Sequence, residues 1–242
     1  MTIKSYIWFD LGYTLVYKPR ETVYQAFLRE NGIERSLEEI ELAYHLTDKQ
    51  FMREYPRILG SNDEYYFPWY LGVLNYRMKV SFRLQEQYKR LENIEQNQRY
   101  RWQLYPFVID VLERLKKRGL RIGLISNWDQ SARVLLEEHG LTSYFDQLVI
   151  SSEVGFEKPS ALIFQHAFKL AGVTAQQCIY VGDNYYDDVV GCSQIGLDTV
   201  LINRFGKSGL EEIDHTPILD SIASLPEWLN KNNLTGAHHY GN

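Results

Sequence analysis

The chain has 242 residues, 45% hydrophobic and 24% charged, an ordinary balance for a soluble globular protein with a full core in one large domain or two unequal ones. Its formal net charge of −5 offers no basic field to nucleic acid or to an anionic membrane. An enzyme for small anions must then build positive potential locally, from a metal or a few Lys and Arg. Cys178 and Cys192 make no disulfide framework, and free thiols in a reducing compartment are expected. No apolar run approaches a membrane span, and MTIKSYIWFD is too short and polar for a signal peptide, so a cytoplasmic location is expected.

Along the chain, Ile3–Phe9 is apolar and aromatic and stops at Asp10-Leu11-Gly12, which predicts a buried strand delivering Asp10 to a loop. Residues 17–103 show no strand pattern, only helical stretches at Thr22–Asn31, Leu37–Tyr55, Tyr65–Met78 and Arg83–Asn97. This region is dense in aromatics (Tyr65, Tyr66, Phe67, Trp69, Tyr70 and Tyr76), which at helical spacing read chiefly as core. Phe107–Arg118 carries an apolar face with Lys and Arg in its last turn and Gly119 as a stop.

Strand and helix then alternate. Leu120–Ser126 ends in Ser126-Asn127, Gln147–Ile150 in Ser151-Ser152-Glu153, Cys178–Val181 in Gly182-Asp183-Asn184, and Thr199–Ile202 follows Gly196. Helical patterns at Gln130–His139 and Pro159–Leu170 lie between. This order predicts an α/β fold, a Rossmann-like, doubly wound parallel sheet with helices on both faces. Ligands of such sheets sit beyond the carboxyl ends of the strands, where these polar clusters converge. The expected division is an α/β core of residues 1–16 and 104–230, a helical cap of residues 17–103, and a flexible tail of residues 231–242. The six histidines form no metal motif; His238 and His239 fall in the tail.

Four motifs occur in order: Phe9-Asp10-Leu11-Gly12-Tyr13-Thr14-Leu15, Ser126 in Ile125-Ser126-Asn127-Trp128-Asp129, Lys158 in Glu157-Lys158-Pro159, and Gly182-Asp183-Asn184-Tyr185-Tyr186-Asp187-Asp188. Each is weak alone; together, at strand ends or loops, they are specific. The set resembles the haloacid dehalogenase-like hydrolase superfamily, in the branch whose helical cap is inserted after the first motif, and it covers essentially the whole chain.

The resemblance implies a Mg²⁺-dependent hydrolase of small phosphorylated metabolites in which Asp10 attacks phosphorus and forms an aspartyl-phosphate. Thr14, Ser126 and Asn127 would bind the substrate, and Lys158 would neutralise both the phosphoryl group and Asp10. The metal set would be Asp10, the Gly12 carbonyl and Asp183, with Asp188 or Asp187 as the further partner. The physics agrees, since a run of acids in one loop is unfavourable without a cation and Mg²⁺ takes hard oxygen ligands. Asp187 and Asp188 read equally as acids at a helix N-terminus, and Ser126 as an N-cap.

One departure matters. The family's phosphatases usually place a second Asp two residues after the nucleophile as general acid–base, and here that position is Gly12. Asp129 or a cap residue would have to substitute, or substrates would need good leaving groups. The alternatives are a binding module that holds a phosphorylated ligand without turnover, a 2-haloacid dehalogenase, and a phosphonate-cleaving enzyme using a cap lysine such as Lys49, Lys79 or Lys89. Oligomeric state is not legible.

Overall fold

The computed structural model describes residues 3–61, 63–98 and 101–235, so His238 and His239 and most of the expected flexible tail lie outside the described residues. The chain divides into two compact units, one of residues 1–17, 104–206 and 214–242 and the other of residues 18–103 and 207–213.

In the first unit, β1 (Tyr6–Phe9) is followed by the short β2 (Val16–Tyr17). The second unit supplies α1 (Arg20–Glu30), α2 (Leu37–Glu54), α3 (Asp63–Met78) and α4 (Leu84–Gln98). The chain continues through β3 (Gln103–Leu104), α5 (Val108–Lys117), β4 (Arg121–Ser126), α6 (Ser131–Glu138) and β5 (Gln147–Ile150). The run ends with α7 (Ser151–Val154), α8 (Ala161–Ala171), β6 (Cys178–Gly182), α9 (Val190–Ser193), β7 (Asp198–Ile202), β8 (Ile218–Leu219) and α10 (Leu225–Lys231).

Six strands form one sheet in the order β5-β4-β1-β6-β7-β8, all parallel, while β2 and β3 pair as a separate ribbon. The order runs outward from β1 through β4 to β5 and then returns to β6 on the other side. This reversal beside β1 is where such sheets open a crevice. Register brings the strand ends together: Phe9 lies opposite Leu124 on β4 and Val181 on β6, and the Asp10 N–H donates to the Val181 carbonyl at 2.9 Å.

The apolar run of β1 is buried on both faces. Tyr6 and Trp8 stack at 4.5 Å and pack among Tyr180, Ile163, Phe164 and Ala167, the last three on α8. Gly123 stands opposite Trp8, and a Cβ there would lie 2.3 Å from the indole, so the aromatic pair dictates a glycine in the neighbouring strand. Helix α5 turns Val108, Val111, Leu112 and Leu115 inward and gathers Arg114, Lys116 and Lys117 at its carboxyl end, where they complement the helix dipole. Two expectations are corrected here. Lys231 closes α10 and the Leu234 carbonyl accepts from the Lys4 N–H, so the chain stays bound to the core beyond residue 230. Residues 207–213, expected in the core, belong to the helical unit.

The helical unit packs Tyr24, Phe27, Leu28, Ile40, Phe51 and Leu74, among others, into its own core. Ser36 caps α2 through a capping box with Glu39, a device worth about 1 kcal/mol. A buried network ties α1, α3 and α4: the Tyr24 hydroxyl donates to Asn75 at 2.7 Å, and Asn75 and Gln87 exchange bonds at 2.7 and 3.0 Å. Arg20 lies over the Tyr44 ring and forks onto Asp48, which also accepts from the Tyr70 hydroxyl at 2.6 Å. Residues 207–213 are held to α2 by His45 Nε2 at 2.8 Å from the Ser208 carbonyl and by Arg53 on Glu212. Among the described residues, no helix is long and apolar enough to cross a membrane.

Candidate active site

Asp10 leaves β1 directly into a tight loop. The Leu11 carbonyl accepts from the N–H groups of Leu15 and Val16, the Tyr13 N–H donates to the Val16 carbonyl, and Tyr13 takes a left-handed conformation at φ 54°. Gly12 forms a bridge with Val16 and contributes no side chain. Thr14 is buried, and its hydroxyl has no hydrogen-bond partner among the described residues. An orphaned buried hydroxyl calls for a reason, and a ligand oxygen supplies one.

Lys158 organises the centre. Its ammonium donates to Asp10 Oδ1 at 2.8 Å, to Asp188 Oδ1 at 2.7 Å and to the Tyr180 hydroxyl at 2.9 Å, which uses all three of its donors. The Tyr180 hydroxyl donates onward to the Ile125 carbonyl at 2.9 Å. Burial would lower the Lys158 pKa, but the Asp10 and Asp188 carboxylates outweigh it and hold the group charged. Burial pushes Asp10 upward, opposed by Lys158 and reinforced by Asp188.

The sequence-predicted residues fall into distinct places. Asp10, Asp183 and Asp188 each bring a carboxylate oxygen to one cluster, with these atoms within 4.8 Å of one another. Asp188 is fully buried, and its second oxygen accepts from the Asn184 N–H at 3.0 Å. Asp187 is turned elsewhere: its carboxylate accepts from the Asn184 amide at 2.8 Å. Its pKa is pushed up to about 7, chiefly by burial, against Lys158 and with Asp188 and Asp10 adding to the rise. Of the two alternatives for the further partner, Asp188 or Asp187, it is Asp188 whose carboxylate lies in the cluster with Asp10 and Asp183. Ser126 is buried at the end of β4. Asn127, expected to touch substrate, bonds the main chain of Lys158, accepting from its N–H at 2.8 Å and donating to its carbonyl at 2.9 Å.

Of the substitutes for the missing acid, Asp129 is exposed and accepts from the Ser131 N–H at 2.8 Å. The Ser131 bonds hold its pKa below the usual carboxylate range, the wrong direction for a proton donor. Of the lysines weighed for imine chemistry, Lys79 and Lys89 are exposed, and Lys49 is buried with its Nζ 3.9 Å from the Met52 sulfur.

One residue of this centre, Tyr180, escaped the sequence reading, and two others, Gly182 and Asn184, stood in the fourth motif without a role of their own. Tyr180 is the one polar tip in the apolar run of β6, and a buried tyrosine hydroxyl usually signals a partner. Gly182 must be glycine, since a Cβ would lie 2.1 Å from Asp188 Oδ2. Asn184 caps the turn after β6, its side chain accepting from the N–H groups of Tyr186 and Asp187.

The donor set suits a small hard cation. Three carboxylates share the cluster while one ammonium bonds two of them, Asp10 and Asp188, a formal excess of two negative charges with both of those acids buried. Such an excess is costly unless a divalent ion offsets it.

Comparison with known proteins identifies the family. The pattern described as haloacid dehalogenase-like hydrolase matches residues 7–202. A glyceraldehyde 3-phosphate phosphatase of Methanothermobacter thermautotrophicus is 31% identical over 140 residues, covering 52% of this chain and 58% of that protein, so the match spans little more than half of that relative. Haloacid dehalogenase-like hydrolase domain-containing protein 3 of Danio rerio is 26% identical over 249 residues, covering 95% of this chain and 98% of that one. In fold, the chain is similar to the HAD-hydrolase YfnB of Bacillus subtilis, solved bound to magnesium, with a TM-score of 0.62 at 17% identity over 95% of this chain and all of the other. With more than three quarters of its length matched by the family pattern, the chain belongs to the haloacid dehalogenase-like hydrolases.

Proposed function

We propose that this hydrolase is a Mg²⁺-dependent phosphatase of small phosphate esters that works through an aspartyl-phosphate on Asp10. The observation that carries the reading is the convergence of Asp10, Asp183 and Asp188 on one cluster with Lys158 bridging two of them. Bound Mg²⁺, held by Asp10, Asp183, the Gly12 carbonyl and Asp188, would offset charge between the attacking carboxylate and the anionic phosphoryl group.

In this reading the Asp10 oxygen not bonded to Lys158 is the attacking atom, and the lysine keeps the carboxylate oriented. Thr14, with its orphaned hydroxyl, and Ser126 donate to phosphoryl oxygens. Asn127 is a positioning residue that fixes the main chain of Lys158. The name of the archaeal relative supports a small phosphorylated substrate. The insertion of the helical unit directly after the Asp10 loop supports a part for it in substrate choice.

The test is phosphate release from p-nitrophenyl phosphate and a metabolite panel, with Mg²⁺ or EDTA, for wild type and Asp10→Asn. Release that requires Mg²⁺ and disappears in Asp10→Asn is expected. A second reading, a module that binds phosphorylated ligands without turnover, is favoured by Gly12 alone. Tight ligand binding with no release from any ester would establish it in place of the first.

A further inference from the structure

The helical unit leaves one face of α3 uncovered. Tyr65, Trp69, Gly72 and Tyr76 recur at i, i+4, i+7 and i+11, a single stripe along the helix. Tyr65 and Tyr76 are each 83% exposed and Trp69 is 42% exposed, whereas Tyr66, Tyr70, Leu71 and Leu74 fill the core of the bundle. Trp69 is anchored, with its ring 5.1 Å from Phe51 and set edge-on 4.1 Å from Tyr55, itself partly exposed. Single exposed apolar residues need no explanation, but a contiguous aromatic stripe does.

Gly72 sits at the middle of this stripe. A glycine inside a helix costs about 1 kcal/mol relative to alanine. Its own fold does not require it, since a Cβ at Gly72 would meet only Leu84 Cδ1 at 3.5 Å, an ordinary contact, and its φ is not positive. The missing side chain leaves room for a close approach from outside the bundle.

We infer that α3 is a self-association surface, on which a second copy of this chain lays its own α3 antiparallel across a two-fold axis at Gly72. In that arrangement Tyr76 of each copy, four residues past the crossing, meets Trp69 of the other, three residues before it. Charge favours the same geometry. Exposed Glu64 stands near the start of the helix and exposed Lys79 just past its end, so the antiparallel pairing brings opposite charges together at both rims. A self-complementary patch is what an isologous dimer requires. The net charge of −5 disfavours an anionic lipid surface as the occupant.

The area suits a modest interface. At roughly 200 Å² per ring, the three aromatics at their observed exposures offer about 400 Å² per copy. Two copies with Tyr55 and the flanking charges would bury about 1,000 Å², the lower end for a specific contact. The dimer is therefore expected at micromolar concentration.

Sedimentation equilibrium of the full chain from about 1 to about 200 µM tests this. The apparent mass of wild type should double across that range. Tyr76→Glu should raise the dissociation constant at least about tenfold. Gly72→Ala should weaken the dimer while raising resistance to urea, a pair of opposite effects that a purely structural glycine would not produce. Lys79→Glu should weaken association several-fold, and Glu64→Lys in the same chain should restore it. A wild type that stays monomeric throughout, as expected if the stripe serves another protein or lipid, overturns the proposal. So does a dimer indifferent to Tyr76→Glu and Gly72→Ala, or an open-ended series of larger species.

Discussion

The Lys158 ammonium lies 2.8 Å from Asp10 and 2.7 Å from Asp188, a single cation holding two buried carboxylates, one at the end of β1 and one in the helical turn after β6. Removing one partner of a buried pair leaves the others unpaired, which costs about 3–5 kcal/mol. Lys158→Met is therefore expected to lower stability by about that amount in EDTA and to abolish most phosphate release, at least about a hundredfold. Urea unfolding should recover part of the loss when Mg²⁺ is added, because the cation takes over the charge of the lysine. A Lys158→Met protein as stable as wild type without metal would contradict the charge argument.

Gly182→Ala probes the same centre through the backbone. Its Cβ would sit 2.1 Å from Asp188 Oδ2, so the carboxylate must move away from both Lys158 and the other acids. Overpacking of this kind costs about 1–3 kcal/mol. The Mg²⁺ concentration needed for half-maximal phosphate release is expected to rise about tenfold or more, with helix content unchanged. An unchanged metal requirement would place Asp188 outside the metal's influence.

Gly12 carries a prediction about substrates. Without a carboxyl there, and with Asp129 exposed and its pKa lowered, the proposed reaction is expected to release its leaving group with little protonation. The kcat/KM values for a series of aryl phosphates should fall steeply as the leaving-group pKa rises. Gly12→Asp should then flatten the dependence, improving alkyl esters by about 10²-fold while changing p-nitrophenyl phosphate little. A slope that is already shallow in wild type would mean that another group supplies the proton.

Asp10 and Asp183 were legible in sequence because each follows an apolar run, and a parallel sheet forces such ends together, whereas Asp188, in the helical turn after β6, was marked only by the motif. Tyr180 was not, because in a strand buried on both faces no alternation marks which side chain reaches a neighbouring element. Its partner, Lys158, lies 22 residues away on a loop. The bond of Asn127 was hidden for a related reason: its amide meets a main chain 31 residues on, a contact no local pattern records. The short β2, β3 and β8 offered too few residues for any period, and β8 lies directly behind Pro217. Residues 207–213 look like an ordinary crossover loop, and only the distant side chains of α2 reveal where they pack.

That last packing gives the helical unit a pH dependence. Burial lowers the pKa of His45, which Lys49 also depresses and the bond to the Ser208 carbonyl partly restores. A histidine whose folded pKa lies below its unfolded value of about 6.5 binds protons preferentially in the unfolded chain, so stability is full above that pH and declines as pH falls through the window beneath it. The slope cannot exceed about 1.4 kcal/mol per pH unit for each such group. His215, lowered by burial in the core unit, adds a second contribution of the same sign. Urea midpoints measured from about pH 7.5 down to about pH 5.5 should fall, and His45→Gln, which keeps a donor for Ser208, should remove part of that fall. A profile equally steep in His45→Gln would assign the effect to His215 and leave the packing of residues 207–213 insensitive to pH.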